Sequence, residues 1–364
     1  MLTKKSITYL VLATTAIFIA VQGYRVWLLN SVKFISFDSR LKEISGIEFD
    51  KRQRLWAIND GGDEPRLYQL DDTGDIVRSI KITNAKNSDW EDMTQDYFGH
   101  FFIGDFGNND NDREWLTIYK IENPIDIKGD TTTAEIIKFT YPKFKAVNGE
   151  KPRKNVHYDV EAFIYFKRNL YLFTKNRTSP FDGKTRIYKI GDHAANFDAE
   201  YINEFSTCTI IKELCWVTSA ALSPDRTKLV LLDSERLWLF ENWKDDDFFS
   251  GDAYQIDLGI VTQKEAVTFA ADNNTIIFTD EVFNGIGGNG YSIQLDKAKK
   301  IPVRKQMKKS IKVKPRPKPI APPPKLDAPA VPLSSPKPVP KSPPAKLAPT
   351  IEPKPIQTAE TEPA

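Results

Sequence analysis

The chain has 364 residues and a formal net charge of only +2, a small sum that hides three unlike segments. Residues 299–364 carry 15 Lys/Arg against 4 Asp/Glu and 18 of the 24 prolines, residues 1–32 carry three basic residues and no acid, and the central 33–298 is left at −12. Such an acidic body repels polyanions and so excludes nucleic-acid binding, while its carboxylates suit cations or polar sugars.

In residues 1–32, Lys4 and Lys5 precede an uncharged, apolar run from Ile7 to Val21. A tolerably apolar stretch continues to Leu29, broken by Gln22 and Arg25. The run approaches the ~20 residues a membrane span needs, and its lysines belong on the cytoplasmic side. The segment reads as a transmembrane signal-anchor of a bacterial inner membrane, single-pass, with the body on the periplasmic side. The alternative is a signal peptide cleaved near Val21 and Gly23, which leaves the body secreted, although an Ala-x-Ala site is absent.

The body, 33–298, repeats itself. Five segments open alike: ISGIEFD from Ile44, WEDMTQD from Trp90, VEAFIYF from Val160, TSAALSPD from Thr218 and KEAVTFAAD from Lys264. Each is followed by a second apolar run (LWAIND, FFIGDFG, LYLFTKNR, LVLLDSE, IIFTDE) and a third (RLYQLD, WLTIYKI, RIYKI, RLWLF, YSIQL). A fourth is visible in most, as in IVRSIKI, EIIKFTY and EYINEF. The runs are short, rich in β-branched and aromatic residues, and bounded by Gly, Asn and Asp, with no helical period of useful length. Units of four strands predict an all-β fold, a five-bladed β-propeller. The run VKFISF ahead of the first unit is placed to complete the last blade. A sixth, degenerate blade within 122–157 is the alternative.

Cys208 and Cys215 flank a short excursion, CTIIKELC. In an oxidising compartment they pair; otherwise they are half-buried thiols, and no second Cys or His pair exists to complete a zinc site. Residues 299–364, with runs such as KVKPRPKPIAPPPK, cannot bury a core and read as a disordered, basic, proline-rich tail. Extended at ~3 Å per residue it reaches on the order of 200 Å. It resembles periplasm-crossing spacers of the TonB type.

The ordered motifs ISGIEF, LWAINDGG, RLYQLD, DWEDM, GDFGNND, VEAF, LYLFTKNR, VTSAALSPD, EAVTF and GGNGYSI carry a further resemblance. Over about residues 40–298 the chain is similar to a poorly characterised family of exported bacterial β-propellers. It is more distantly similar to SdiA-regulated, NHL-type and gluconolactonase (SMP-30-like) propellers. The resemblance implies fold and export. In the gluconolactonase-like group it also implies a metal near the channel and a carboxylate base, although that group's Glu-Gly-Pro motif is absent here.

Within a propeller, the start of each innermost strand and the loop after the second strand share one face. Glu91, Asp92, Asp159, Glu161 and Glu265 are therefore candidate ligands for calcium or another divalent cation at the channel mouth, since hard cations take several oxygens. Asp60, Asp105, Asn108, Asn109, Lys175, Arg177 and Asp280 are candidate ligand-binding residues on the same face. Each has a plainer role open to it. Trp90 packs between blades while the acids beside it cap backbone amides; the GNNDND loop fits ordinary turn chemistry, with Arg113 where a calcium loop needs glycine. His157 is a structural core histidine, and Lys175 and Arg177 pair with Glu161. The glycine-rich GIGGNG is a turn, since no helix follows it.

Two functions fit. The first is a membrane-anchored extracytoplasmic binding or scaffolding module whose acidic face holds a cation and whose tail meets an anionic envelope polymer, a lipid surface or a protein, at ~1 kcal/mol per basic residue near an anionic surface. The second is a metal-assisted hydrolase of a lactone, sugar or phosphate ester that uses the mouth carboxylates.

Overall fold

The structure, a computed structural model, describes residues 33–141, 157–208 and 211–303. They form five sheets around one axis, antiparallel except for two short added strands, a five-bladed β-propeller. From the centre outward, blade 1 contains Ile44–Phe49, Leu55–Asn59, Arg66–Leu70 and Ile76–Ile82; blade 2 contains Trp90–Gln95, Phe101–Asp105, Leu116–Ile121 and Glu135–Thr140. Blade 3 contains Asp159–Phe166, Asn169–Lys175, Lys184–Gly191 and Glu200–Ser206; blade 4 contains Ser219–Leu222, Lys228–Leu232, Arg236–Glu241 and Asp252–Asp257. Blade 5 contains Lys264–Phe269, Thr275–Asp280 and Asn289–Gln294, and its outer strand is Lys33–Ser36 from the other end of the body. The ring is thereby closed by hydrogen bonds between its two ends.

No sixth blade exists among the described residues. Of the long segment 122–157, Glu135–Thr140 is the fourth strand of blade 2, and Thr131–Thr132 crosses to pair with Lys81 and Ile82 at the edge of blade 1. The same borrowing recurs: Asn196–Asp198, ahead of the last strand of blade 3, pairs with the edge of blade 2, and Ile301–Pro302 pairs with the edge of blade 4. Each borrowed strand covers an edge that would otherwise present unpaired N–H and C=O groups.

The blades are held face to face by side chains that alternate along the strands. Between blades 2 and 3, Phe102, Phe106, Leu116, Ile137, Phe139, Phe163 and Leu172 are fully buried in one cluster. At roughly 1.5–3 kcal/mol for each large apolar side chain, such seams are the main source of stability. Trp90 is of this kind. It is fully buried, packs against Tyr119, and donates its indole N–H to the Lys86 carbonyl at 3.0 Å.

Residues 1–32, the expected anchor, and 304–364, most of the expected tail, lie outside the described residues; the tail's expected first residues, 299–303, are instead ordered, with Ile301–Pro302 paired to blade 4. Among the described residues no helix is long and apolar enough to cross a membrane. Cys208 and Cys215 are joined in a disulfide.

Candidate cation site at the channel mouth

The innermost strands share an irregularity that creates the site. In blades 1, 2, 3 and 5 the register with the second strand slips by one residue, at Ser45, Glu91, Glu161 and Glu265. A bulge of this sort turns the extra residue out of the pleat. All four bulged residues line one cavity of about 370 Å³ at the end of the channel. Asp60, Asn109, Lys175 and Arg177, from the loops or strand ends after the second strands, complete its wall with Trp216 and Gln263.

Several expected residues are thus brought together, and others are not. Asp92 was expected at the mouth as a ligand, but its carboxylate is fully committed inside the channel. It accepts from the backbone N–H of Met93 (2.9 Å), Phe163 (3.1 Å) and Ala220 (3.3 Å) and from the Ser219 hydroxyl (3.2 Å). Ser219 Oγ in turn accepts from the Val267 N–H at 3.1 Å. One buried carboxylate thus ties blades 2, 3 and 4 together, and Ser219 extends the link to blade 5. Burial raises the Asp92 pKa well above the ordinary value, opposed by those same hydrogen bonds.

Asp105, Asn108 and Asp280 also have structural work in place of ligand binding. Asp105 holds Arg113 at 2.9 Å and the Asp89 N–H at 3.0 Å. Asp280 accepts from the Tyr291 hydroxyl at 2.8 Å and the Asn289 N–H at 2.9 Å. Asn108 donates to the carbonyls of Arg113 (3.2 Å) and Tyr158 (3.3 Å). Asp159 sits behind the wall, occupied by the Asn108 N–H at 2.7 Å and Arg177 Nε at 2.7 Å. His157 is buried with its pKa lowered to about 4, by burial first and by the charge of Arg186 second. That is the environment of a core histidine.

The cations of the mouth are paired. Lys175 Nζ lies 2.8 Å from Glu161, and Arg177 bonds Asp159 and Asn109 while stacking over Trp216 at 4.5 Å. Two cations face an excess of acids: Asp60, Asp89, Glu91, Asp159, Glu161, Glu265 and Glu281. Burial, then neighbouring carboxylates, push Asp89 up to about 6, and burial raises Glu281 and Glu265 to about 7 and Glu161 to about 8. A mouth whose carboxylates hold on to protons near neutral pH is short of positive charge.

Glu91 is the extreme case. It is 6% exposed, it lines the cavity, and among the described residues no donor reaches its carboxylate. Burial and the charges of Glu161 and Asp60 raise its pKa well above the ordinary range. Oxygens of Asp60, Asp89 and Glu91 lie within 4.8 Å of one another. Two oxygens on opposite sides of one Ca²⁺ are about 5 Å apart, at ~2.4 Å each from the ion. Three carboxylate donors of this spacing fit a hard, oxygen-loving cation. Gly107 makes room for them: a Cβ there would stand 2.2 Å from Glu91 Oε1 and 2.4 Å from Asp89 Oδ2. Asp89, Gln263 and Trp216 were not singled out from the sequence, and Glu161 and Glu265 line the same cavity as Asp60 and Glu91.

No family model and no curated protein matches the chain. Among solved structures, the fold is similar to virginiamycin B lyase from Staphylococcus aureus, at 13% identity and a TM-score of 0.34, covering 68% of this chain and 65% of that one. It is also similar to a gluconolactonase from Xanthomonas campestris (9% identity, TM-score 0.39, 69% and 71% covered) and to a putative gluconolactonase (13%, 0.40, 73% and 78%). The chain spans just under two thirds of the lyase structures it matches. These likenesses are remote, and no chemistry is taken from them.

Proposed function

We propose that the protein is an extracytoplasmic binding module whose channel mouth holds a divalent cation on Asp60, Asp89 and Glu91, presented at a bacterial inner membrane by residues 1–32. The observation that carries this reading is Glu91, a carboxylate that accepts no hydrogen bond from the described residues and opens into the mouth cavity where blades 1 and 2 meet, facing two more carboxylates. Leaving it so is costly unless a proton or a cation arrives, and a cation neutralises all three acids at once. The Cys208–Cys215 disulfide supports the oxidising compartment that the anchor reading requires. The basic tail supplies contact with an anionic envelope surface.

The test is calorimetric titration of the metal-stripped protein with Ca²⁺ and Mg²⁺, together with melting curves with and without chelator. Saturable binding that Glu91→Gln abolishes is expected. No heat and no chelator effect on melting removes the cation from the reading.

A second reading, metal-assisted hydrolysis, is favoured by carboxylates held at about 6 to 8 (Asp89, Glu265, Glu161), the range in which a general base works near neutral pH. Turnover of a lactone, phosphate-ester or glycoside panel that depends on added cation and is lost in Glu161→Gln would establish it. Binding without turnover leaves the module reading.

A further inference from the structure

A second cavity, of about 640 Å³, opens beside the mouth and shares Lys175, Trp216, Gln263 and Glu265 with it. Its other walls are of a different kind. Leu214, from the segment leading into blade 4, faces Val261, Phe283 and Ile286 from the loops around blade 5. Phe283 is 60% exposed and Val261 40% exposed, so the groove offers apolar surface to solvent. It is also held in shape. Phe283 and Ile286 exchange backbone hydrogen bonds at 2.8 and 3.0 Å, and the disulfide at Cys215 immediately precedes Trp216 on the opposite wall. A preformed, largely apolar groove of this volume is in the range of small-molecule sites.

The charge at its inner end selects the occupant. Glu265 stands at the junction of groove and mouth, with Glu281 close enough to disfavour its ionisation. Lys175 lines the groove and offsets part of the Glu265 charge, but its ammonium is bonded to Glu161 at 2.8 Å and Arg177 is bonded to Asp159, so Glu213, Glu265 and Glu281 outnumber the cations here. An incoming anion meets one lysine already bonded to a carboxylate, whereas an incoming cation meets acids in excess. We propose that the groove binds a small amphipathic amine, its ammonium against Glu265 and its apolar body along Leu214, Val261, Phe283 and Ile286. The groove rests on other residues than the cation reading, whose ligands Asp60, Asp89 and Glu91 come from blades 1 and 2, although Glu265 also lines the mouth cavity.

The test is calorimetric titration of the purified full chain, stripped of metal with EDTA, with hexylammonium, methylammonium and hexanoate. Hexylammonium binds best. Methylammonium loses roughly fourfold for each methylene taken from the groove, and hexanoate is weaker by about tenfold or more. Phe283→Ala and Glu265→Gln each weaken hexylammonium by about tenfold, with unchanged melting curves as the check on folding. Hexanoate binding as tightly as hexylammonium, or neither substitution moving the constant, overturns the proposal. A parallel Ca²⁺ titration separates the two sites: Phe283→Ala leaves it as in the parent, and a parent that binds hexylammonium but no Ca²⁺ keeps the groove and loses the cation site.

Discussion

Replacing Glu91 by glutamine should stabilise the metal-free protein, the reverse of what deleting a useful polar contact does. Glu91 is 6% exposed, its carboxylate receives no hydrogen bond among the described residues, and it shares a 4.8 Å neighbourhood with Asp60 and Asp89. Two unit charges at that distance repel by roughly 3.5 kcal/mol at an effective dielectric of about 20. The protein escapes part of this by leaving a proton on Glu91. That proton costs about 1.4 kcal/mol for each pH unit above the unperturbed 4.5. The sign follows: a raised folded pKa favours the folded state at low pH, and the penalty grows as pH rises. Near pH 7.5 it is capped at about 4 kcal/mol, so glutamine should gain ~1–4 kcal/mol. In melting temperature that is an increase of roughly 3–12 °C. The assay is thermal melting in EDTA at pH 7.5 and again with saturating Ca²⁺. Calcium at about 100 times its dissociation constant adds ~2.7 kcal/mol to the parent, and Glu91→Gln should lose most of that increment. A Glu91→Gln protein that melts below the parent in EDTA refutes the reasoning, because Glu91 would then be a structural acceptor.

Three further outcomes are expected. Asp92→Ala strands the buried N–H groups of Met93, Phe163 and Ala220 and should cost roughly 3–5 kcal/mol in urea denaturation; a loss below ~1 kcal/mol removes its role as the tie across the channel. Gly107→Ala forces Glu91 and Asp89 apart and should weaken Ca²⁺ binding by about tenfold or more in the same titration, an unchanged constant counting against the shared cradle. His157, lowered from 6.5 to about 4 in the folded state, stabilises the fold above its unfolded pKa, and this contribution fades as pH falls from 6.5 towards 4. Urea midpoints of the parent should fall across that window more steeply than those of His157→Gln, by about 1.4 kcal/mol per pH unit, and parallel profiles would contradict it.

Much of the architecture was legible because the repeat is written twice over, in strand alternation and in turn residues. ISGIEF, WEDMTQ, VEAFIY and KEAVTF each place their bulged residue second, which is how Glu91, Glu161 and Glu265 come to share a cavity. Asp92, Asp105 and Asp280 were misplaced for one physical reason. A carboxylate that accepts backbone N–H groups and one that waits for a ligand look the same in sequence, and only the positions of the donors distinguish them. Asp89 was overlooked because it precedes its strand, and its role depends on where Asp60 ends a strand in the neighbouring blade. The apolar groove was invisible for a similar reason, since Leu214, Val261 and Phe283 come from irregular segments with no period to read.

The borrowed strands at the rims have a consequence for how the ring comes apart. Thr131–Thr132 and Asn196–Asp198 each sit in one structural unit and pair with the previous one, while Lys33–Ser36 locks the last blade to the first residues of the body. A simple tandem array is free to shed its modules one after another, since each touches only its neighbours. Here, the segments flanking or forming four of the five blades lend a strand to a neighbouring sheet, blade 4 being the exception, so most modules lose their independence. Amide exchange across all five blades should therefore report one opening free energy, with the loops of the rim as the only fast-exchanging islands.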